Sequence, residues 1–362
     1  MVLRLILLTV ILTSSTIIPD VNAASCTITK YSAADIKNAQ NDCTEITING
    51  IEVAAGETLD LTNLKQGAKV VFQGTITWAY KEWEGPLLSV AGTNVQISGA
   101  SGHLLDGKGN LWWDGNGSNG GKKKPQFFRA AKLINSDIYN INIKNSPVHT
   151  FSISNCEGLV IQNINLDTSA GDSDGGHNTD AFDVGNSNNI TIKHSTVYNQ
   201  DDCLAVNSGT NIEFYDNYCS GGHGISIGSV GGRDNNVVKS VKIYDSQIVN
   251  SDNGVRIKTV YGATGSVSDI TYQDITLSGI HKYGIVIEGD YENGSPTGTP
   301  TGGVPITDLT VKNVHGSVDS SGANVYILVE NASGWHFSDI SVTGGSKSVK
   351  CTGIPANAGI SC

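Results

Sequence analysis

Apolar and polar residues alternate along this chain in one recurring unit: apolar, two polar, apolar, one polar, apolar. It reads Ile138-Tyr139-Asn140-Ile141-Asn142-Ile143 and Ile161-Gln162-Asn163-Ile164-Asn165-Leu166, and returns as Tyr272-Gln273-Asp274-Ile275-Thr276-Leu277 and Phe337-Ser338-Asp339-Ile340-Ser341-Val342. Looser copies begin at Ile192, Phe214, Ile243 and Val311. Successive starts are therefore unevenly spaced, at roughly 20–40 residues, within the range of solenoid repeats. Helical periodicity is nearly confined to Ser32–Asn41. Irregular repeats of this length, built of short β-branched strands and Gly/Asn/Asp turns, predict an all-β, single-domain solenoid, a right-handed parallel β-helix. Each coil would lay its strands on the previous one about 4.8 Å away, with one apolar row per coil facing a shared core. A β-sandwich or propeller would show strands every 8–12 residues or so with clear hairpin turns, which this spacing disfavours.

Composition sharpens the picture. The 362 residues include 43 Gly and 8 Pro, and the only Met is Met1. Gly ordinarily makes up about 7% of a chain, so this one turns often. It has neither the third-residue Gly period of collagen nor the charge density of a disordered chain. The net charge of −11 and pI near 5.1 disfavour a nucleic-acid partner.

Residues 1–23 read as a signal peptide, with Arg4, an apolar run Leu5–Leu12 and a small-residue site at Val21-Asn22-Ala23. The predicted product is a secreted, extracellular domain over 24–362, with no membrane partner and monomeric. In that compartment six of the seven cysteines are expected to pair by proximity, as Cys26–Cys43, Cys203–Cys219 and Cys351–Cys362. The odd one, Cys156, reads as a buried thiol. Sequons stand at Asn116, Asn189, Asn293 and Asn331.

The candidate chemistry lies at coil spacing. Asp180 precedes Asp201 by the same interval as Asp202 precedes His223, and that interval matches the shorter coils. The step from His223 to Arg256 matches the longer ones. Stacking would bring His177-Asn178-Thr179-Asp180, Gln200-Asp201-Asp202-Cys203, Gly222-His223-Gly224 and Arg256-Ile257-Lys258 onto one outer face. Arg256 and Lys258, two apart, would point the same way on a strand. Asp201 and Asp202, adjacent, can serve one site only if the strand bends or ends there. Paired carboxylates suit glycoside hydrolysis, one protonating the leaving oxygen and one activating water. Crowding should raise at least one carboxyl pKa and so keep a proton for donation. The cation pair suits an anionic sugar. No Cys/His metal spacing or phosphate loop occurs, so neither metal nor cofactor is expected.

These segments resemble the signatures of the polygalacturonases, glycoside hydrolase family 28, and most nearly those of the fungal-type endo-acting enzymes. Similar stretches flank them: Gly175-Gly176-His177, Ala181-Phe182-Asp183-Val184, Gly224–Gly231, Trp112-Trp113-Asp114-Gly115, Lys122–Pro125 and Asp290-Tyr291. The resemblance implies a pectin-lyase-like β-helix that hydrolyses α-1,4 bonds of polygalacturonate (pectin) with inversion. It implies Asp201 as general acid and Asp180 and Asp202 as the carboxylates that hold and activate water. His223 would support the acid, Arg256 and Lys258 would bind the substrate carboxylate, and Tyr291 and Asn178 would be further cleft contacts. An acidic optimum follows, since Asp201 must be protonated. One departure is that Tyr326–Trp335 lacks the extra short disulfide frequent in fungal members, which puts that loop's rigidity in question. A lyase sharing the fold would need an Arg base, with Ca²⁺ in the pectate enzymes, which the Asp-Asp and His-Gly pairings do not suit. Lys122–Lys124 reads as a solvated face or a distant contact for the polyanion, and Trp112 or Trp113 as a platform for a sugar ring. His177 reads as structural, and the loop Glu292–Pro305 as a cleft wall.

Overall fold

The structure, a computed structural model, describes residues 24–293 and 295–362; the leader predicted over residues 1–23 lies outside the described residues. Its strands join in one coiled sheet in which every pairing is parallel, a parallel β-helix. One core row shows why. Ile138 pairs with Ile161, Ile161 with Ile192, Ile192 with Phe214, Phe214 with Ile243, Ile243 with Tyr272, Tyr272 with Val311 and Val311 with Phe337. These are the eight starts of the apolar repeat, and all are buried. The row continues towards the N-terminus through Ile97, Val70, Ile46 and Cys26.

The second polar residue of each repeat turns a corner. Asn140, Asn163, His194, Asp216, Asp245, Asp274, Asn313 and Asp339 all lie in the left-handed region, with φ between 49° and 56°. Asn and Asp tolerate that conformation better than other residues with a Cβ, because their short polar side chains bond locally. Some corners also bond to the next coil: Asn163 Nδ2 donates to Asn140 Oδ1 (3.1 Å) and Asn313 Nδ2 to Asp274 Oδ1 (2.6 Å).

The ends are closed. The helix Ala33–Asp42, capped by the Ser32 hydroxyl accepting from the Asp35 amide, buries Ile36 and Ala39 over the first coil. Cys26–Cys43 ties down this end and Cys351–Cys362 the other, while Cys203–Cys219 joins two coils in the middle. These are the pairs expected from proximity. Cys156 is free and buried, its thiol donating to the Ala130 carbonyl. The segment without the extra disulfide is held by other means: Tyr326 stacks on Tyr283 at 5.1 Å, and the Trp335 indole donates to the Ile306 carbonyl at 2.9 Å.

Candidate active site

In the middle coils Phe182, Leu204, Ile225 and Val255 stack in register. Just before the first three of these strands the chain carries the acid and histidine clusters, while Arg256 and Lys258 follow Val255 within the fourth, Asn253–Val260. The Ala181 amide donates to the Asp202 carbonyl and the Cys203 amide to the Gly224 carbonyl, both at 2.9 Å, so Asp180, Asp202 and His223 hold the same rank in successive coils. Asp201 and Asp202 lie between the strands Thr196–Tyr198 and Leu204–Val206. There the Asp202 amide folds back onto Asp201 Oδ1 (2.7 Å), the break in extended structure that lets two adjacent acids share a site. Gly224 is required by geometry: its φ is +95°, and a Cβ there would run into the Asn253 carbonyl.

The result is a cleft of about 640 Å³ that all eight predicted residues line: Asp180, Asp201, Asp202, His223, Arg256, Lys258, Tyr291 and Asn178. Asp201 is surrounded by donors. His223 Nδ1 is 3.0 Å from its Oδ1, and Asn178 Nδ2 donates to its Oδ2 at 2.9 Å. Burial alone would raise the Asp201 carboxyl, but the hydrogen bond and charge of His223, together with Lys258 and the Asp202 amide, hold it well below the usual carboxylate range. Asp180 goes the other way. Burial, reinforced by the neighbouring Asp201 and Asp183 carboxylates, pushes it well above that range, and its buried Oδ1 has no hydrogen-bond partner. Crowding thus drives the two carboxyls apart, Asp180 upward and Asp201 downward.

The cations are likewise fixed by carboxylates. Lys258 Nζ pairs with Asp202 Oδ2 at 2.5 Å, and Arg256 Nη2 with Glu288 at 3.1 Å. Lys258, Asp202 and Glu288 are buried, and Arg256 nearly so. Burial opposes their charge, yet the facing carboxylates raise both cations above their ordinary values, as Asp201 and Asp202 raise His223. Tyr291 lies beside the pair, its ring 5.2 Å from Lys258 Nζ and 5.8 Å from the Arg256 guanidinium. Two groups, His149-Asp180-Asp183 and Asp201-Asp202-His223, bring ligand atoms within 4.8 Å of one another, near enough for one cation; Asp202 already has Lys258 in that role.

The profile of the glycosyl hydrolases family 28 matches residues 43–362. This chain belongs to that family. It is 61% identical over 338 residues to a polygalacturonase of Penicillium griseoroseum, covering 92% of this chain and 90% of the relative. It is 59% identical over 346 residues to endopolygalacturonase 1 of Colletotrichum lindemuthianum, covering 95% of each. Among solved structures it resembles endopolygalacturonase I of Stereum purpureum complexed with two galacturonates, with a TM-score of 0.79, 38% identity and coverage of 88% of this chain and 95% of that one.

Within this family 28 chain some sequence expectations need correcting. Trp112 and Trp113 are no sugar platform: they are 0% and 5% exposed, and their indoles donate to the carbonyls of Lys81 and Ser146. Lys124 is buried against Asp114 at 2.7 Å, and Lys123 pairs with Glu84, so the lysine run braces a loop and lies outside the cleft lining. His177, read as structural, lines the cleft. The loop after Tyr291 does form a wall, through Asn293 and Pro296, and the Asn293 amide donates to Asn119 across it at 3.3 Å.

Several lining residues escaped the sequence reading: His149, Asp183, Asp252, Lys282 and Glu288. A signal existed for His149, which precedes Asp180 by the same interval that separates the repeats starting at Ile161 and Ile192. Glu288 follows Lys258 by one coil and pairs with it in register.

Proposed function

We propose that this protein is an endo-acting polygalacturonase that hydrolyses α-1,4 galacturonosyl bonds with inversion, and that it is secreted as a single domain over 24–362 after removal of residues 1–23. The observation that carries the reading is the convergence of three carboxylates, an imidazole and two largely buried cations in one cleft, in a chain 61% identical to a fungal polygalacturonase and 59% identical to a fungal endopolygalacturonase. The secretion reading rests on the leader's sequence and on three disulfides.

A galacturonate carboxylate is recognised by Arg256 and Lys258. Its charge offsets the positive field that holds Asp201 ionised, so Asp201 gains proton affinity. His223 Nδ1, at 3.0 Å, is placed to supply the proton. Asp201 then protonates the glycosidic oxygen, the C1–O electrons leave with that oxygen, and water attacks C1 from the opposite face. Asp180, with Asp202 holding the water, takes the proton the water loses.

A reducing-end assay on polygalacturonic acid tests this. Asp201→Asn should lose about 10²-fold or more of hydrolysis while keeping its fold and much of its affinity. The same variant should still cleave a nitrophenyl oligogalacturonide, whose leaving group needs no protonation. Full activity of Asp201→Asn on the polymer would sink the acid assignment. Early release of mixed oligomers is expected, and monomer alone would mean exo action. Unsaturated products lost on chelation would mean a lyase.

A further inference from the structure

His149 stands one coil before Asp180. The Thr150 amide donates to the Asp180 carbonyl at 2.7 Å, and the Ala181 amide to that of Asp202, so positions 149, 180 and 202 succeed one another at one rank along the cleft. The imidazole is about a quarter exposed, and its Nδ1 lies 2.9 Å from Asp183 Oδ2 and 3.4 Å from Asp180 Oδ1. That Asp180 oxygen is buried and has no hydrogen-bond partner. The cluster is strongly anionic: His149 faces Asp180, Asp183 and Asp201, and Asp180 itself faces Asp183, Asp201 and Asp202. Arg256 and Lys258 are committed elsewhere, to Glu288 and Asp202.

We propose that His149 is a positioning residue that, as an imidazolium, opposes the protonation of Asp180 that burial and the neighbouring carboxylates favour, and aims that carboxylate to take the proton of the attacking water. This rests on the reading of Asp180 as the water-activating carboxylate. Nδ1–H bridges Asp183 and Asp180, anchored by the first at hydrogen-bond distance and lending its charge to the second. Burial favours the neutral ring, but Asp180, then Asp183 and Asp201, raise the imidazole to about 10, so it stays charged wherever the carboxylates titrate. An opposite charge this close lowers a carboxyl pKa by about 1–3 units. His149 thereby sets the acid limb of the pH profile, below which Asp180 is protonated and cannot accept the water's proton. A His149 that merely braced Asp183 would leave that limb where it is.

The test pairs a carboxyl-carbon NMR titration of Asp180, assigned by comparison with Asp180→Asn, with the pH profile of kcat on polygalacturonic acid. In His149→Gln the Asp180 midpoint should rise by at least about one unit, and the acid limb should rise with it. Hydrolysis measured one unit below the wild-type limb should then fall about tenfold, with KM changed less than about twofold. His149→Lys, which restores the charge, should bring both back. Asp183→Asn should lower the Asp180 midpoint, since the imidazolium then serves Asp180 alone. If His149→Gln does not fold, His149→Asn carries the same comparison, because Asp183→Asn also removes a like charge beside Asp180. An unchanged Asp180 midpoint in folded His149→Gln, or a failure of Asp183→Asn to lower it, overturns the proposal. A wild type that shows the Asp180 response but no hydrolysis of polygalacturonate would overturn the assigned function and leave the coupling standing.

Discussion

At the scale of single residues, the site is a set of charges that would be untenable alone. Lys258 and Asp202 are each nearly buried and satisfy one another at 2.5 Å. Removing one leaves the other desolvated and unpaired, a change that typically destabilises by about 3–5 kcal/mol. Lys258→Met is therefore expected to lose that much in urea denaturation, and Lys258→Met combined with Asp202→Leu to recover most of it, although both variants should be inactive. His149 makes the prediction run with pH. Its folded-state value, about 10, lies above the roughly 6.5 of a free imidazole. A raised base stabilises the fold fully below its unfolded value, and the contribution is lost as pH rises through the folded one. The stability difference between wild type and His149→Gln should be largest near pH 6 and shrink towards pH 10 in urea titrations run across that range.

At the scale of elements, the acids sit on a connection between strands, which has less to hold it than a strand has. Cys203–Cys219 supplies the hold, fixing the residue after Asp202 to the strand Tyr218–Ser220 of the next coil. Cys203→Ala/Cys219→Ala should lower unfolding free energy by about 2–4 kcal/mol and depress kcat more than it raises KM, measured by denaturation and steady-state kinetics. The loop from Trp112 to Lys124 adds Ser118 and Asn119 to the cleft lining. Its two indoles are buried, and Asp114 takes Lys124 at one oxygen and the Lys122 amide at the other. This loop delivers Ser118 and Asn119 to Asn178, whose amide in turn donates to Asp201. Trp112→Ala should cost about 3–5 kcal/mol in stability and raise KM while the Asp201 chemistry stays intact, as thermal unfolding and kinetics would show.

At the scale of the molecule, a coiled sheet has two open ends, each a row of unpaired strand edges and exposed core. The helix Ala33–Asp42 and the strand Ser25–Ile28 close the first over Ile46 and Ile48. A chain starting at Thr44 should accumulate as aggregate, read by light scattering after refolding. The net charge of −11 does not by itself exclude a polyanionic substrate, because cations, Arg233, Arg256, Lys258 and Lys282, line the cleft where a sugar carboxylate can meet them. The coil was legible in the chain because backbone pairing repeats: the eight apolar starts from Ile138 to Phe337 are one hydrogen-bonded row, and their second polar residues are its left-handed corners. Of the predicted cleft residues, all but Tyr291 were legible for the same reason, since coil-length spacing stacks their clusters on one face, and Tyr291 came from the family resemblance alone. Stacking alone did not reveal that Trp112 and Trp113 turn inward, that Glu288 holds Arg256, or that the crowded carboxyls part, Asp180 upward and Asp201 downward. The sequence by itself determined which clusters stack on one face, because that depends on counting along the backbone. Only the tertiary structure decided which charges touch and which way each carboxyl shifts, because Coulomb energies and desolvation depend on distances across the cleft and on burial, and no periodicity encodes either.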